Sequence, residues 1–353
     1  MRWDKLRAAD DGTGALFERA AVTRTFDTPE FRGMTFHEVH ARSIINRVPG
    51  ASRVPFGYTI NPYRGCSHAC TYCFARRSHS YLDLDTGRDF DSQIVVKVNA
   101  PALAAKELAA PSWRERYTGE HIAMGTNVDC YQRAEGRYRL MPGIISALRD
   151  ARQPFSILTK GSLILRDLEL IADAATTAPV SVNVSVGSVD RELARLLEPG
   201  APHPAKRLEV CAAFTDAGVG CGVLMGPVVP YLSDSPAQLE AAVRQAAQAG
   251  ATHVSPIVLH LRPGGAREWF AAWLTEHHPA LVPRYRQLYG SGAYAPRAYQ
   301  RRIAERVRIL ARRHGVGRRA APTPTAVARG VAPTPAAAPA PPPEPESTQL
   351  TLL

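Results

Sequence analysis

The segment Asn61-Pro-Tyr-Arg-Gly-Cys66-Ser-His-Ala-Cys70-Thr-Tyr-Cys73-Phe-Ala-Arg76 sets three thiols within eight positions. Spacings of four and three residues let a short loop wrap its thiolates around one small inorganic core, as ferredoxin-type runs do. Three thiolates satisfy three irons of a [4Fe-4S] cluster and leave the fourth iron open to a chelating ligand. A second chemistry fits the same residues: His68 or His79 could complete a Cys3His zinc site. Zinc knuckles organise small domains that lack a core, whereas this motif closes the first strand of a long alternating pattern, so the cluster is the favoured reading. Cys130, Cys211 and Cys221 are scattered. Cys211 on an apolar helical face and Cys221 in a strand read as core residues.

The elements that must present such a loop are legible around it. Short β-rich runs at 57–61, 121–126, 155–160, 180–186, 220–226 and 253–259 alternate with helical patterns, the form of βαβ units on a parallel sheet. Helices are expected near 138–150, 164–174, 203–217 and 266–276. The helix between the last two strands has the clearest ends: Ser235 as N-cap, Pro236 at the first helical position, Gln238 completing a capping box and Gly250 ending the run. The fold expected is α/β, a partial TIM-type (β/α)6 barrel over residues 55–280. Residues 1–54 read as an arm anchored by Phe17, Phe26, Phe31 and Phe36. Residues 281–319 read as a helical extension with a basic amphipathic helix, since Ile303, Val307 and Leu310 recur at helical spacing among the nine arginines of residues 296–319. Residues 320–353, rich in Ala and Pro, read as a disordered tail.

The C-x3-C-x2-C motif, with Tyr72 before its last cysteine and Phe74 after it, resembles the signature of the radical S-adenosylmethionine (SAM) superfamily over roughly residues 40–280. Within that superfamily the chain is similar to the spore photoproduct lyase-related group: the NPYRGC lead into the motif, Thr159-Lys160 after the third strand, the Leu163-Ile-Leu-Arg-Asp167 run, and Glu198-Pro199 followed by Arg207-Leu208. The resemblance implies a [4Fe-4S] cluster on Cys66, Cys70 and Cys73 and reductive cleavage of SAM. By matching position it further implies that Tyr72 packs near the adenine, Lys160 meets the SAM carboxylate, Ser185 the ribose, and Gly226 admits the adenine. Asn127 and Asp129 fall where the SAM amino group is bound, although Gly125-Thr-Asn-Val-Asp-Cys130 departs from the usual glycine-rich turn. Cys130 is either the residue that returns a hydrogen atom to a substrate radical or a plain barrel-mouth thiol. Glu198, Arg207, Arg166, Asp167 and Arg262 lie near strand ends, as substrate ligands or as structural ion pairs.

A net charge of +11 attracts anions, so nucleic acid leads among substrates, with lyase-like repair of damaged DNA the sharpest version. The alternatives are radical modification of RNA or a peptide, and a non-catalytic zinc-containing nucleic-acid-binding protein. Reduction would need an electron donor such as flavodoxin or ferredoxin. No membrane segment is expected, and the reading places the protein in the cytoplasm. The last five residues, Gln349-Leu-Thr-Leu-Leu353, resemble the pentapeptide by which bacterial polymerases and repair proteins dock on the DNA sliding clamp, with Gln349, Leu352 and Leu353 as anchors. Deleting residues 349–353 is expected to abolish co-purification with the clamp without altering SAM cleavage; equal clamp binding by the truncated protein discards that reading.

Overall fold

The computed structural model describes residues 6–7, 22–49, 54, 56–117 and 119–317. Phe17, the tail from residue 320 and the clamp-like Gln349, Leu352 and Leu353 lie outside the described residues. Among the described residues twelve strands form two sheets. In chain order they are β1 (Leu6–Arg7), β2 (Val22–Arg24), β3 (Thr35–Ala41), β4 (Ile45–Arg47), β5 (Tyr58–Ile60), β6 (Tyr63–Arg64), β7 (Gln93–Lys97), β8 (Ile122–Met124), β9 (Phe155–Thr159), β10 (Val180–Ser185), β11 (Cys221–Val228) and β12 (Val254–Val258).

The larger sheet runs β12-β11-β10-β9-β8-β5-β4. Its six strands from β5 to β12 pair in parallel, each after a helical crossover, and only β4 runs antiparallel at the edge. These are the six strands expected from the alternation, and they make the mixed α/β, partial-barrel type of fold; no closed barrel is formed among the described residues. Burial explains why the pattern was readable. Ile122, Ala123 and Met124 are all buried, as are Phe155, Ile157 and Thr159 on alternate positions of β9, because helices cover the sheet.

The second sheet was not anticipated. β3 pairs in parallel with β7, whereas β6 runs antiparallel to β7 and β1 and β2 run antiparallel to β3. Residues 22–47 are therefore strand-bearing rather than an extended arm. Phe26, Phe31 and Phe36 do cluster, with ring centroids 5.3–5.7 Å apart, and Phe26 and Phe36 also meet Tyr138. What the spacing of phenylalanines could not reveal is that the partner of β3 lies some fifty residues downstream. This sheet matters for the site, because β6 leads straight into the cysteine loop.

Local chemistry moved some helix ends. The helix expected at 138–150 is two helices, Arg133–Tyr138 and Leu140–Asp150, broken at Arg139 with φ +50°. Glu135 causes the break: its buried carboxylate accepts from Leu140 N (3.0 Å) and Met141 N (3.1 Å), capping the second helix, and from Tyr63 Oη (2.6 Å) and Arg166 Nη2 (2.6 Å). The segment expected as helix from 164 starts as a 3-10 turn over Ser162–Asp167, with the α-helix following at Leu168–Thr177. The Pro236–Gln248 helix begins as expected with Ser235 Oγ accepting from Gln238 N at 3.3 Å. The reciprocal half of the box is not made: Gln238 Oε1 accepts from Ser235 Oγ at 2.8 Å, and Nε2 donates to Leu232 O at 2.7 Å.

The basic helix is Arg297–Arg313. Tyr299, Ile303, Val307 and Leu310 are buried against β12 and the Pro236–Gln248 helix, while Arg301, Arg302, Arg306 and Arg308 point to solvent. Among the described residues no helix is long and apolar enough to cross a membrane. If docking is what this helix does for the fold, Leu310→Ala should lower the unfolding free energy by about 2–5 kcal/mol. Arg306→Ala should change it by less than about 0.5 kcal/mol, both read by urea denaturation.

Candidate active site

Parallel α/β sheets gather function at the carboxyl ends of their strands. There a cavity of about 170 Å³ is lined by Cys66, Cys70, Tyr72 and Cys73 from the loop after β6, by Asn127 and Asp129 after β8, by Lys160 after β9, by Ser185 at the end of β10 and by Gly226 in β11. All of the residues singled out as metal or SAM ligands in the sequence thus face one space. Phe74, Leu158, Ile257, Leu259 and His260 are among the other residues that line it. Sequence reasoning did not select these five; only the position of His260 just past the last strand could have flagged it.

The cysteine loop has no ladder of its own, so its backbone is tied to its surroundings. Cys66 N donates to Phe90 O (2.9 Å), Thr71 N to Leu197 O (2.9 Å), and Gly200 N to His68 O (3.0 Å). Gln132 grips both sides of Cys66, its Oε1 accepting from Ser67 N (2.9 Å) and its Nε2 donating to Gly65 O (2.8 Å). The wholly buried Arg76 donates Nη2 to Cys70 O (3.0 Å) and is itself paired with Asp91 at 2.9 Å. Gly200 is required where it stands: a Cβ there would lie 1.9 Å from Ser67 O.

The three thiols are free and largely buried. Burial pushes Cys66 well above the ordinary thiol value, Cys70 up to about 12 and Cys73 upward as well. Thiolates in such surroundings need a positive partner at the sulfurs, and an iron-sulfur core supplies it. Each of the two histidines offered by the zinc alternative has one ring nitrogen engaged. His68 Nδ1 stands 3.3 Å from Asp129 Oδ2, and His79 donates Nε2 to Gln93 O at 2.9 Å while its ring packs on Phe90. Among the described residues no three His, Cys, Asp or Glu side chains are gathered around a single ion-sized point. Three thiols lining one cavity are a soft donor set of the kind iron and sulfide take.

Around the thiols the charges are arranged in a chain. Lys160 Nζ donates to Ser185 Oγ (2.9 Å), lies 3.9 Å from Glu198 Oε1 and sits 5.8 Å from the centre of the Tyr72 ring. Ser185 Oγ donates to Gly226 O at 2.9 Å. Glu198, buried, accepts from the Tyr72 hydroxyl and pairs with the buried guanidinium of Arg207, whose Nη1 also donates to Ser185 O at 2.9 Å. Burial opposes the charge of Glu198, but Arg207 and then Lys160 outweigh it and hold the carboxyl below its ordinary value. Glu198 and Arg207 therefore form a structural pair beneath Tyr72. Arg166 and Asp167 do likewise, Arg166 Nη2 reaching both Glu135 (2.6 Å) and Asp167 (2.7 Å).

Two expectations are corrected. Asp129 lines the cavity, yet its carboxylate accepts from Tyr131 N (2.9 Å), Thr159 Oγ1 (2.7 Å) and Lys160 N (2.7 Å) and faces His68. Those four partners use the acceptor positions of both oxygens, so Asp129 braces β9 against the cysteine loop. Despite burial, His68 and these hydrogen bonds bring its carboxyl down to about 2. Cys130 does not reach the cavity at all. It is fully buried in the core with Tyr131 and Ala134, because the turn aims Asp129 inward and so turns the next side chain away. Burial, then Asp129 and Glu135, push its thiol well above the ordinary value, so it is held protonated. The turn itself depends on Gly125, with φ +76° and the place of a Cβ only 1.8 Å from Leu158 O.

Residues 60–245 match the Radical SAM superfamily. The uncharacterized protein Rv2578c of Mycobacterium tuberculosis is 49% identical over 336 residues, 93% of this chain and 97% of that one. The uncharacterized protein MJ0683 of Methanocaldococcus jannaschii is 28% identical over 199 residues, 56% of this chain and 69% of that one. Among solved structures, spore photoproduct lyase complexed with dinucleoside spore photoproduct superposes with a TM-score of 0.60 at 15% identity, covering 80% of each chain. A mutant of that lyase with bound AdoMet and dinucleoside spore photoproduct gives a TM-score of 0.58 at 16% identity over 76% of each chain. At such identities these two structures establish a shared fold. The pair under Tyr72 yields a test of its own: Glu198→Ala, which strands the Arg207 charge, should destabilise the protein by about 3–5 kcal/mol. The double replacement Glu198→Leu with Arg207→Met should recover most of that loss in the same denaturation experiment.

Proposed function

The chain belongs to the radical SAM superfamily, and we propose that it binds a [4Fe-4S] cluster through Cys66, Cys70 and Cys73 and acts on a nucleic-acid substrate by hydrogen abstraction. One observation carries the cofactor assignment: three free thiols, two of them buried and Cys73 half-buried, share a cavity with the Lys160 ammonium. When bound, the cluster supplies an electron to the SAM sulfonium and so generates a 5′-deoxyadenosyl radical, chemistry that belongs to the cofactor.

The chain's own part is binding and orientation. Lys160, freed from Ser185, is the cation for the SAM carboxylate, and Asn127, which lines the cavity, takes the amino group. Ser185 serves the ribose. At Gly226 a Cβ would stand 3.0 Å from Leu224 Cδ2, so the missing side chain leaves room for the adenine beside Tyr72. Leu158, Leu224 and Leu259 exclude water from the reacting centre. Since Cys130 is turned into the core, return of a hydrogen atom through it has no place in this reading.

The nucleic-acid class is supported by the net charge of +11 and by the dinucleoside product bound in structures of the same fold; repair of a DNA lesion is its sharpest form. Reduction is assigned to an acidic carrier such as flavodoxin or ferredoxin. His68 also lines a second hollow of about 620 Å³ together with Gln132, Arg133 and Arg137, and the two exposed arginines complement an acidic partner.

Anaerobic reconstitution of the full chain is expected to load iron and sulfide with a brown absorbance, and joint replacement of Cys66, Cys70 and Cys73 by Ala to abolish it. Cys130→Ala should keep the iron and sulfide content of the wild type. With reductant and SAM, 5′-deoxyadenosine should form, and Lys160→Ala should weaken SAM binding by about 10- to 100-fold, the worth of one charge-assisted hydrogen bond. Stoichiometric zinc in place of iron would overturn the assignment.

A further inference from the structure

At the mouth of the cavity the surface breaks the usual rule for large apolar side chains. Phe74 is 36% exposed, Ile257 44% and Tyr294 54%. Phe74 and Ile257 line the cavity itself, and Tyr294 is joined to it through His260. The rings form a ladder: Phe74 to His260 at 5.6 Å between centroids and 39°, then His260 to Tyr294 at 5.6 Å and 27°, a stacked pair. Arg262 closes the group, its guanidinium 6.0 Å from the Phe74 ring and its Nη2 donating to Tyr294 Oη at 3.1 Å.

The ladder is held rigid by backbone. His260 and Tyr294 form an antiparallel bridge, Leu261 N donates to Ala293 O at 2.7 Å, and Arg267 Nε donates to Leu261 O at 3.2 Å. Burial, with a smaller push from Arg262, lowers the proton affinity of His260, so at neutral pH its ring is a flat uncharged aromatic. Among the described residues Arg262 is in no ion pair with a carboxylate. A preformed, exposed aromatic face with a guanidinium beside it that no carboxylate neutralises is complementary to a planar ring that carries an anion next to it.

Resting on the reading of the site given above, we propose that Phe74, His260, Tyr294 and Arg262 form the substrate platform, on which one base of a single-stranded or locally unpaired nucleic acid stacks while Arg262 meets the adjoining phosphate. Stacking on protein aromatics tolerates any base and needs the base outside a duplex stack. A guanidinium beside the ring adds the phosphate contact that an aromatic peptide side chain has no fixed counterpart for. The platform therefore determines the form of the substrate, unpaired rather than duplex, and the reacting atom is the part of that nucleotide carried past Phe74 into the cavity.

The test uses the reconstituted full-length protein without reductant and fluorescence anisotropy of labelled oligo(dT), oligo(rU), a duplex of the same length and a tyrosine-containing acidic peptide. Single strands should bind tighter than duplex. Tyr294→Ala should weaken single-strand binding by about tenfold or more, Tyr294→Phe should retain most of it, and Tyr81→Ala, an exposed tyrosine outside the ladder, should match the wild type. Arg262→Gln should flatten the slope of log affinity against log salt by about 0.7, the release due to one phosphate contact. A matched thermal midpoint for each variant separates binding from folding. Equal binding by Tyr294→Ala and wild type, or tighter binding of the peptide or the duplex, overturns the platform. Wild-type 5′-deoxyadenosine formation is measured separately without oligonucleotide: its failure removes the enzymatic reading and leaves the platform standing, whereas loss of oligonucleotide binding alone does the reverse.

Discussion

Three sulfur atoms on an irregular loop are held facing one cavity only if the loop's backbone is satisfied from outside it, and that constraint organises the molecule. Residues 65–73 form neither helix nor strand around the cysteines, so every buried N–H and C=O there needs a partner from elsewhere. Those partners come from widely separated parts of the chain: Phe90 O behind Cys66, the Gln132 amide around Gly65 and Ser67, Leu197 O and Gly200 N on the far side, and Arg76 folded back on Cys70 O. Each partner is in turn anchored by the sheets or by an ion pair. The fold acts as a clamp on nine residues.

A second constraint is charge in a dry place. Burying Glu198, Arg207, Asp129 and Lys160 near one cavity is unfavourable for each alone. Pairing resolves it. Arg207 answers Glu198, and the loop and strand donors answer Asp129, which leaves the Lys160 ammonium, 3.9 Å from Glu198, as the cation facing the cavity. The same pairing converts two groups with catalytic-looking identities into supports. Asp129 and Glu198 act through what they hold: Lys160 by its backbone in one case, Tyr72 by its hydroxyl in the other.

The basic character of the chain divides in a similar way. Arginines of the Arg297–Arg313 helix lie on the outside of an element whose apolar stripe is consumed by docking on β12, so their charge raises the general field of the molecule. Arg76, Arg166 and Arg207 are internal and paired. Arg133, Arg137 and Arg262 stand exposed beside the two hollows, and these are the positions where charge and shape coincide.

The sequence alone determined the six parallel strands and the family to which the chain belongs, because both are written in short-range patterns: period-two apolar runs between helical stretches, and C-x3-C-x2-C after the first of them. Lys160, Ser185 and Gly226 were legible for the same reason, each being tied to a strand end. Only the tertiary structure could decide the second sheet, whose strands β3 and β7 meet across some fifty residues, and the fate of the residues after β8, where a one-residue step in a turn separates a cavity-lining Asp129 from a core Cys130. It also assembled the aromatic rim, since Phe74, His260 and Tyr294 come from three distant segments and no local spacing relates them. Local pattern encodes which residues can do chemistry; which of them face the same space depends on long-range packing that no window of sequence contains.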